Sequence, residues 1–233
     1  MRWMFLRFEA PLASFGGEAI DAHGIIRDFP ARSMVTGLFA NALGWTRRMR
    51  FEHQGLQERI VFGAVHDSNP ATARMIDYQT AQLGAGDKAW STRGYPIGRA
   101  GGSGTYKGAH QRWRHYHSDL RMSMVVRFVP EYLEPTMDTL AAALVRPARP
   151  LFIGRKACLP TGIFFHRWIE TDDICDALRG VIPAGKQCEA QWSISERAQE
   201  STSITDERDW MSGLHGGGRL VCRGRLDGTG VYR

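Results

Sequence analysis

The sequence predicts an α+β fold of the ferredoxin-like kind: a β-α-β-β-α-β unit carrying an inserted β-hairpin thumb, followed by a small β-rich region. Three observations predict it. Amphipathic stretches at 33–43 and 136–145 each stand between runs of β-formers. An alternating run over 112–128 is polar at its start and apolar at its end, as in a strand that projects from a sheet. Before it lies a Gly-rich stretch, 84–111, too long and too weakly patterned for an idle loop in a compact domain.

Residues 3–8 alternate and read as the first strand, with Trp3 and Phe5 on one face. Pro11, Gly16 and Gly17 break it. The first helix follows. Met34, Leu38 and Ala42 recur every four residues, as do Val35, Phe39 and Leu43, so two adjacent rows form one apolar stripe that can lie on a sheet. Ser33 stands where a hydroxyl caps a helix start, and Gly44 where a left-handed residue ends one. Gly37 inside the helix implies close approach of a neighbouring backbone. Residues 60–65 read as a buried strand and 73–80 as its partner. The strand 112–128 completes the thumb, at about 84–117, and Thr136–Val145 is the second helix. These elements place one domain over 1–146. The rest, 147–233, opens with a basic, Gly-containing loop at 147–162 and continues as a smaller region with strands at 189–194 and 219–225; 195–209 reads as a polar loop.

The net charge of +6 is unevenly spread. Residues 27–50 carry a balance of +4 and 86–117 a balance of +5, leaving −3 for the remainder. Two basic segments in an otherwise acidic chain are the footprint of a localised polyanion site. No run of 18 apolar residues is present, so no membrane span is expected. The N-terminal stretch lacks the apolar core of a signal peptide, which points to the cytoplasm. Cys158, Cys175, Cys188 and Cys222 are not at zinc-knuckle spacing and read as reduced thiols.

Candidate binding residues follow from this. Arg27, Arg32, Arg47, Arg48 and Arg50 flank the first helix against Asp28 alone; solvated helix ends are the bland alternative. Arg112 and Arg114 alternate with Trp113, and cations interleaved with rings suit single-stranded RNA, whose phosphates pair with guanidinium groups while its bases stack. Tyr78, Gln79 and Thr80 end a strand beside the loop, placed to stack on a base or to read edges and phosphates. Gly154, Arg155 and Lys156 suit a backbone approach to a phosphate with two cations to neutralise it, though the spacing is not that of a Walker loop. His115, His117 and Asp119 share one strand face, spaced as metal ligands or as an acid–base pair for RNA cleavage. No hydrolase, metalloprotease or dinucleotide motif is present, and no cofactor or metal is expected. From the residues alone, the chain reads as an RNA-binding module.

Four ordered motifs add a resemblance. Ala10–Gly16, Phe29–Ser33 with Gly37–Gly44, Asp77–Thr80 with Leu83 and Gly84, and Arg149–Pro160 are similar to the CasD subunits of type I-E CRISPR Cascade complexes, the fifth Cas family of the RAMP superfamily. The resemblance spans roughly residues 3–165 and implies an RRM-like domain with a thumb hairpin. It implies a non-catalytic architectural subunit that holds the 5′ handle of the CRISPR RNA. Its partners would be the repeated backbone subunit and the large subunit, and it would meet target DNA only through the complex. By position, Arg27, Arg32, Ser33, Arg47 and Arg48 around the first helix, Tyr78, Gln79 and Thr80, the hairpin around Arg112, Trp113 and Arg114, and Gly154, Arg155 and Lys156 match the family's handle-binding region. Related type I-C proteins cut the precursor RNA themselves, so a metal-independent endoribonuclease, with Tyr116 beside His115 and His117, is the alternative. A small-molecule enzyme on a ferredoxin-like scaffold is a third reading, and it leaves the placement of the basic excess unexplained.

Overall fold

The computed structural model describes residues 1–67, 74–82, 84, 87, 89, 90, 96, 97, 108–194 and 200–232. Its elements are β1 (Arg2–Ala13), β2 (Gly16–Ile20), β3 (His23–Ile26), α1 (Arg32–Ala42), α2 (Arg50–Arg59), β4 (Ile60–His66), β5 (Arg74–Ala81), β6 (Ala89–Trp90), β7 (Pro96–Ile97), β8 (His110–Phe128), α3 (Met137–Val145), β9 (Phe165–Glu170), α4 (Ile174–Val181), β10 (Gln187–Ser193), β11 (Thr202–Thr205) and β12 (Gly218–Asp227). No helix among the described residues is long and apolar enough to cross a membrane.

Among the described residues one mixed-topology sheet of ten strands runs β11-β12-β10-β4-β8-β1-β9, with β3 and β5 added along β8 and β2 paired to β3. Its middle strands are antiparallel. Alternation in β1 sends Met4, Leu6 and Phe8 to one face and Trp3 and Phe5 to the other. The first face packs against Val35, Leu38 and Phe39 of α1 and Leu140 and Leu144 of α3. The second packs against Ile174, Leu178 and Val181 of α4. Burying a side chain such as Phe39 contributes about 1.5–3 kcal/mol, so the α1 stripe fixes that helix on the sheet and leaves its opposite face to solvent.

The helix ends depart from expectation in one instructive way. Gly44 ends α1 with a φ of 78°, as expected, and Arg149 donates to the Gly44 and Trp45 carbonyls there. Ser33, however, does not cap the start. The cap position is Ala31, and the free N–H groups are taken by a distant residue: the Asp206 carboxylate accepts from Arg32 at 3.1 Å, and its carbonyl accepts from Ser33 at 3.1 Å. Asp206 also pairs with Arg219 at 3.0 Å, with both side chains buried. Gly37 likewise faces no backbone; the nearest atom to a Cβ there would be the tip of the Trp210 ring, at 4.0 Å.

β5 is not the neighbour of β4. It pairs with residues 110–117 of β8, while β4 pairs with residues 122–128. At Asp119, between those two regions, φ is +47°. About half of the thumb expected at 84–117 lies outside the described residues; described are its root, where the start of β8 pairs with β5 before the thumb, and the short ribbon of β6 and β7. The boundary expected at 147 does not interrupt the sheet, since β9 pairs with β1 and β10 with β4. Within the stretch read as a loop, 202–205 forms β11.

Candidate nucleic-acid interface

The solvent face of α1 is the floor of a long groove. Ser33, Gly37 and Asn41, four residues apart, lie along it. The segment 152–156 forms one wall and the segment 205–215 the other. Two cavities, of about 660 and 1100 Å³, meet end to end and share Gly37, Asn41, Phe152, Arg208 and Trp210.

The wall at 205–215 is held by α2, whose inward face is polar. The Gln57 amide donates to the Arg208 carbonyl at 2.9 Å, and its oxygen accepts from the Trp210 indole at 3.0 Å. Gln54 accepts from the Trp210 backbone, Arg50 donates to the Met211 carbonyl, and the His53 ring packs 4.5 Å from the Trp210 ring. The opposite wall is built on Gly154, whose φ is +86° and whose Cα lies against the Ser14 backbone. Gly154 therefore allows two protein backbones to meet.

The groove is strongly positive. Arg27, Arg155 and Arg208 line its first part, and Arg47, Arg48, Arg50, Arg149, Lys156 and Arg208 its second. Its acids, Asp206 and Glu207, are already paired with Arg219 and Arg32. Arg47, Arg48 and Lys156 are exposed and have no acidic partner among the described residues. Burial, and then the neighbouring Arg47 charge, push the Arg208 pKa below its ordinary value, and the Arg208 Nε is buried with no hydrogen bond. Crowded, partly desolvated cations of this kind are relieved by a bound anion.

Of the residues singled out in the sequence, Arg27, Ser33, Gly154 and Arg155 line the first cavity, and Arg47, Arg48 and Lys156 the second. Arg27 donates to the Thr205 carbonyl at 2.7 Å, and two further arginines are held by other parts of the chain. Arg32 donates to Glu207 at 2.6 Å and to the Ile60 carbonyl at 2.9 Å. Arg155 donates to the carbonyls of His115 and Gly24, at 3.1 and 3.2 Å, and lies 4.6 Å over the Tyr116 ring. It is a strut joining the groove wall to the thumb root. Tyr78, Gln79, Thr80, Arg112, Trp113 and Arg114 stand together on that root, outside the groove lining: β5 and β8 pair Tyr78 with Trp113 and Gln79 with Arg112. Trp113 stacks on His23 at 4.8 Å and meets the exposed Tyr78 at 5.1 Å. Sequence reading missed Arg208, Trp210 and His215; a cation and an aromatic ring inside a polar loop were the available signal.

The histidine face has its own internal partners. His117 is 2 % exposed, and its Nε2 lies 2.8 Å from the Arg27 carbonyl. Asp119 is 3.7 Å from Arg121, and no group of three or more metal-ligating side chains occurs among the described residues. His117 neighbours His66, whose Nε2 contacts the Asp28 carbonyl at 2.6 Å. Burial lowers both pKa values, that of His66 to about 4. An unfolded chain, with histidines near 6.5, therefore binds more protons than the native one between those values. Stability is expected to be full above about pH 6.5 and to drain as the pH falls toward 4, by about 3 kcal/mol for His66 alone. Urea midpoints measured across that range should fall, and His66→Gln should flatten the dependence.

Comparison with known proteins agrees with this architecture. The family model described as CRISPR-associated protein (Cas_Cas5) matches residues 3–222. A chain of a "CRISPR RNA-guided surveillance complex" superposes with a TM-score of 0.70 at 19 % identity, covering 97 % of this chain and 90 % of that one. A second, "Crystal structure of Cas protein", superposes with a TM-score of 0.62 at 18 % identity, covering 98 % and 97 %. No curated protein sequence matches.

Proposed function

The chain belongs to the CRISPR-associated Cas5 family, and from that premise we propose that it is the non-catalytic subunit that holds the 5′ handle of the CRISPR RNA in a type I-E Cascade complex. The observation that carries the proposal is the groove along α1. It is open and lined by cations, and its acids are already neutralised. A single strand laid along Ser33, Gly37 and Asn41 meets Arg47, Arg48, Arg208 and Lys156 with its phosphates. The backbone subunit and the large subunit of the complex are the protein partners in this reading. Taking β4-β8-β1-β9 with α1 and α3 as a ferredoxin-like core, the thumb root is an extension of its third strand.

The non-catalytic half of the proposal is supported by the histidines. His117 is sequestered and committed to a carbonyl, so it is not placed to exchange a proton with RNA. The test is incubation of the purified chain with labelled CRISPR repeat RNA, without metal. Saturable binding that weakens steeply with salt, and no product, is expected. A discrete cleavage product lost on His115→Ala or His117→Ala would make the chain a processing endoribonuclease instead. Tyr78, exposed at the thumb root, is expected to stack on a base, and Tyr78→Ala to cost about 1–3 kcal/mol of binding by fluorescence anisotropy.

A further inference from the structure

Behind α2 the surface has the opposite character. A depression of about 930 Å³ lies between α2 and the segment 129–135, with Leu43, Leu56, Val129 and Leu133 among its walls. At its edge Phe51 is 77 % exposed, and Tyr132, on the same segment, is 81 % exposed. Large apolar side chains gathered in this way mark a contact surface.

The segment is fixed in advance. Arg59 is buried and donates to the carbonyls of Pro130, Leu133, Glu134 and Pro135, at 2.6 to 3.4 Å. One guanidinium thus orders six residues, so docking there costs little conformational entropy. Among the described residues Arg59 is also the one cation lining the depression, and its donors are directed at those carbonyls. The exposed charged groups of the lining are Glu52, Glu58 and Glu134, the last of which also accepts from the Thr136 N–H and the Thr139 hydroxyl through one carboxylate oxygen. An acid-rimmed apolar patch thus sits on a chain of net charge +6.

We propose that this face docks a segment of a different protein chain, one that presents aromatic or aliphatic side chains flanked by lysines or arginines. The apolar floor takes the hydrophobic side chains, and the three glutamates pair with the flanking cations. Nucleic acid does not fit, because its phosphates would meet the glutamates. Nor does a second copy related by a twofold axis, because the same three glutamates would face each other. The inference does not depend on what occupies the groove on α1.

The test uses the full chain in its host. Photoreactive p-benzoylphenylalanine replaces Phe51 in one variant and Tyr132 in another, and the cross-linked residues are mapped by mass spectrometry. Both positions are expected to mark one segment of a single other polypeptide, with an apolar residue and at least two cations within a few positions. Glu52→Lys with Glu58→Lys should then reduce cross-linking at least tenfold. In the isolated chain, the same pair should leave the fold intact and not weaken repeat-RNA binding, which separates failure of this proposal from failure of the groove reading. Cross-links to RNA, to a second copy, to an acidic segment or to nothing would overturn it, as would a yield unmoved by the charge reversal.

Discussion

Replacing Arg47, Arg48 and Lys156 together by alanine is expected to weaken binding of single-stranded repeat RNA about a hundredfold at moderate salt, with the fold unchanged. These side chains line the groove and are exposed, so removing them leaves no buried group unpaired. If each neutralises one phosphate, the slope of log affinity against log salt should flatten by about 2, at roughly 0.7 per contact on a single strand. Arg32→Ala is the control. Its guanidinium is spent on Glu207 and the Ile60 carbonyl, so it should lower stability with little effect on the slope. An unchanged slope in the triple variant would remove the groove as the RNA site.

Gly154→Ala is expected to cost about 4 kcal/mol or more, enough to unfold much of the protein. A Cβ there would lie 1.7 Å from the Ser14 carbonyl oxygen and 2.8 Å from its carbon, at a φ of +86°. Both neighbours are backbone, so no rotamer change relieves the overlap. Strand β1 and the groove wall would have to part, breaking the bond from the Ser14 N–H to the Ile153 carbonyl. Gly55→Ala gives the contrast. It lies inside α2 with nothing within 4 Å of its Cβ, and it should stabilise by up to about 1 kcal/mol. Thermal denaturation of both variants checks the pair.

The central elements were legible because they are amphipathic. Met34 to Leu43, Leu140 with Leu144, and the alternation in β1 each carry a period that only one element satisfies. α2 carried no such signal: its inward face is His53, Gln57 and Arg59 with the single apolar Leu56, a pattern that reads as a solvated segment. The groove was legible in part. The arginines around α1 were visible as a charge excess, but local sequence does not distinguish Arg47, which faces solvent, from Arg32 and Arg155, which are bound to groups far along the chain. For the same reason Arg208 and Trp210 were hidden in a polar stretch, since α2 gives them their place. Gly154 stood out for its place in a basic loop, while its contact with the Ser14 backbone could not be read there.

The carboxylate that closes the first turn of α1 comes from a residue 174 positions further along the chain. While the ribosome is still making the C-terminal strands, that helix start is uncapped and one bank of the channel does not yet exist. The groove is therefore completed only once residues 205–215 have been made, so on the proposed reading a chain truncated before that segment is expected not to hold RNA.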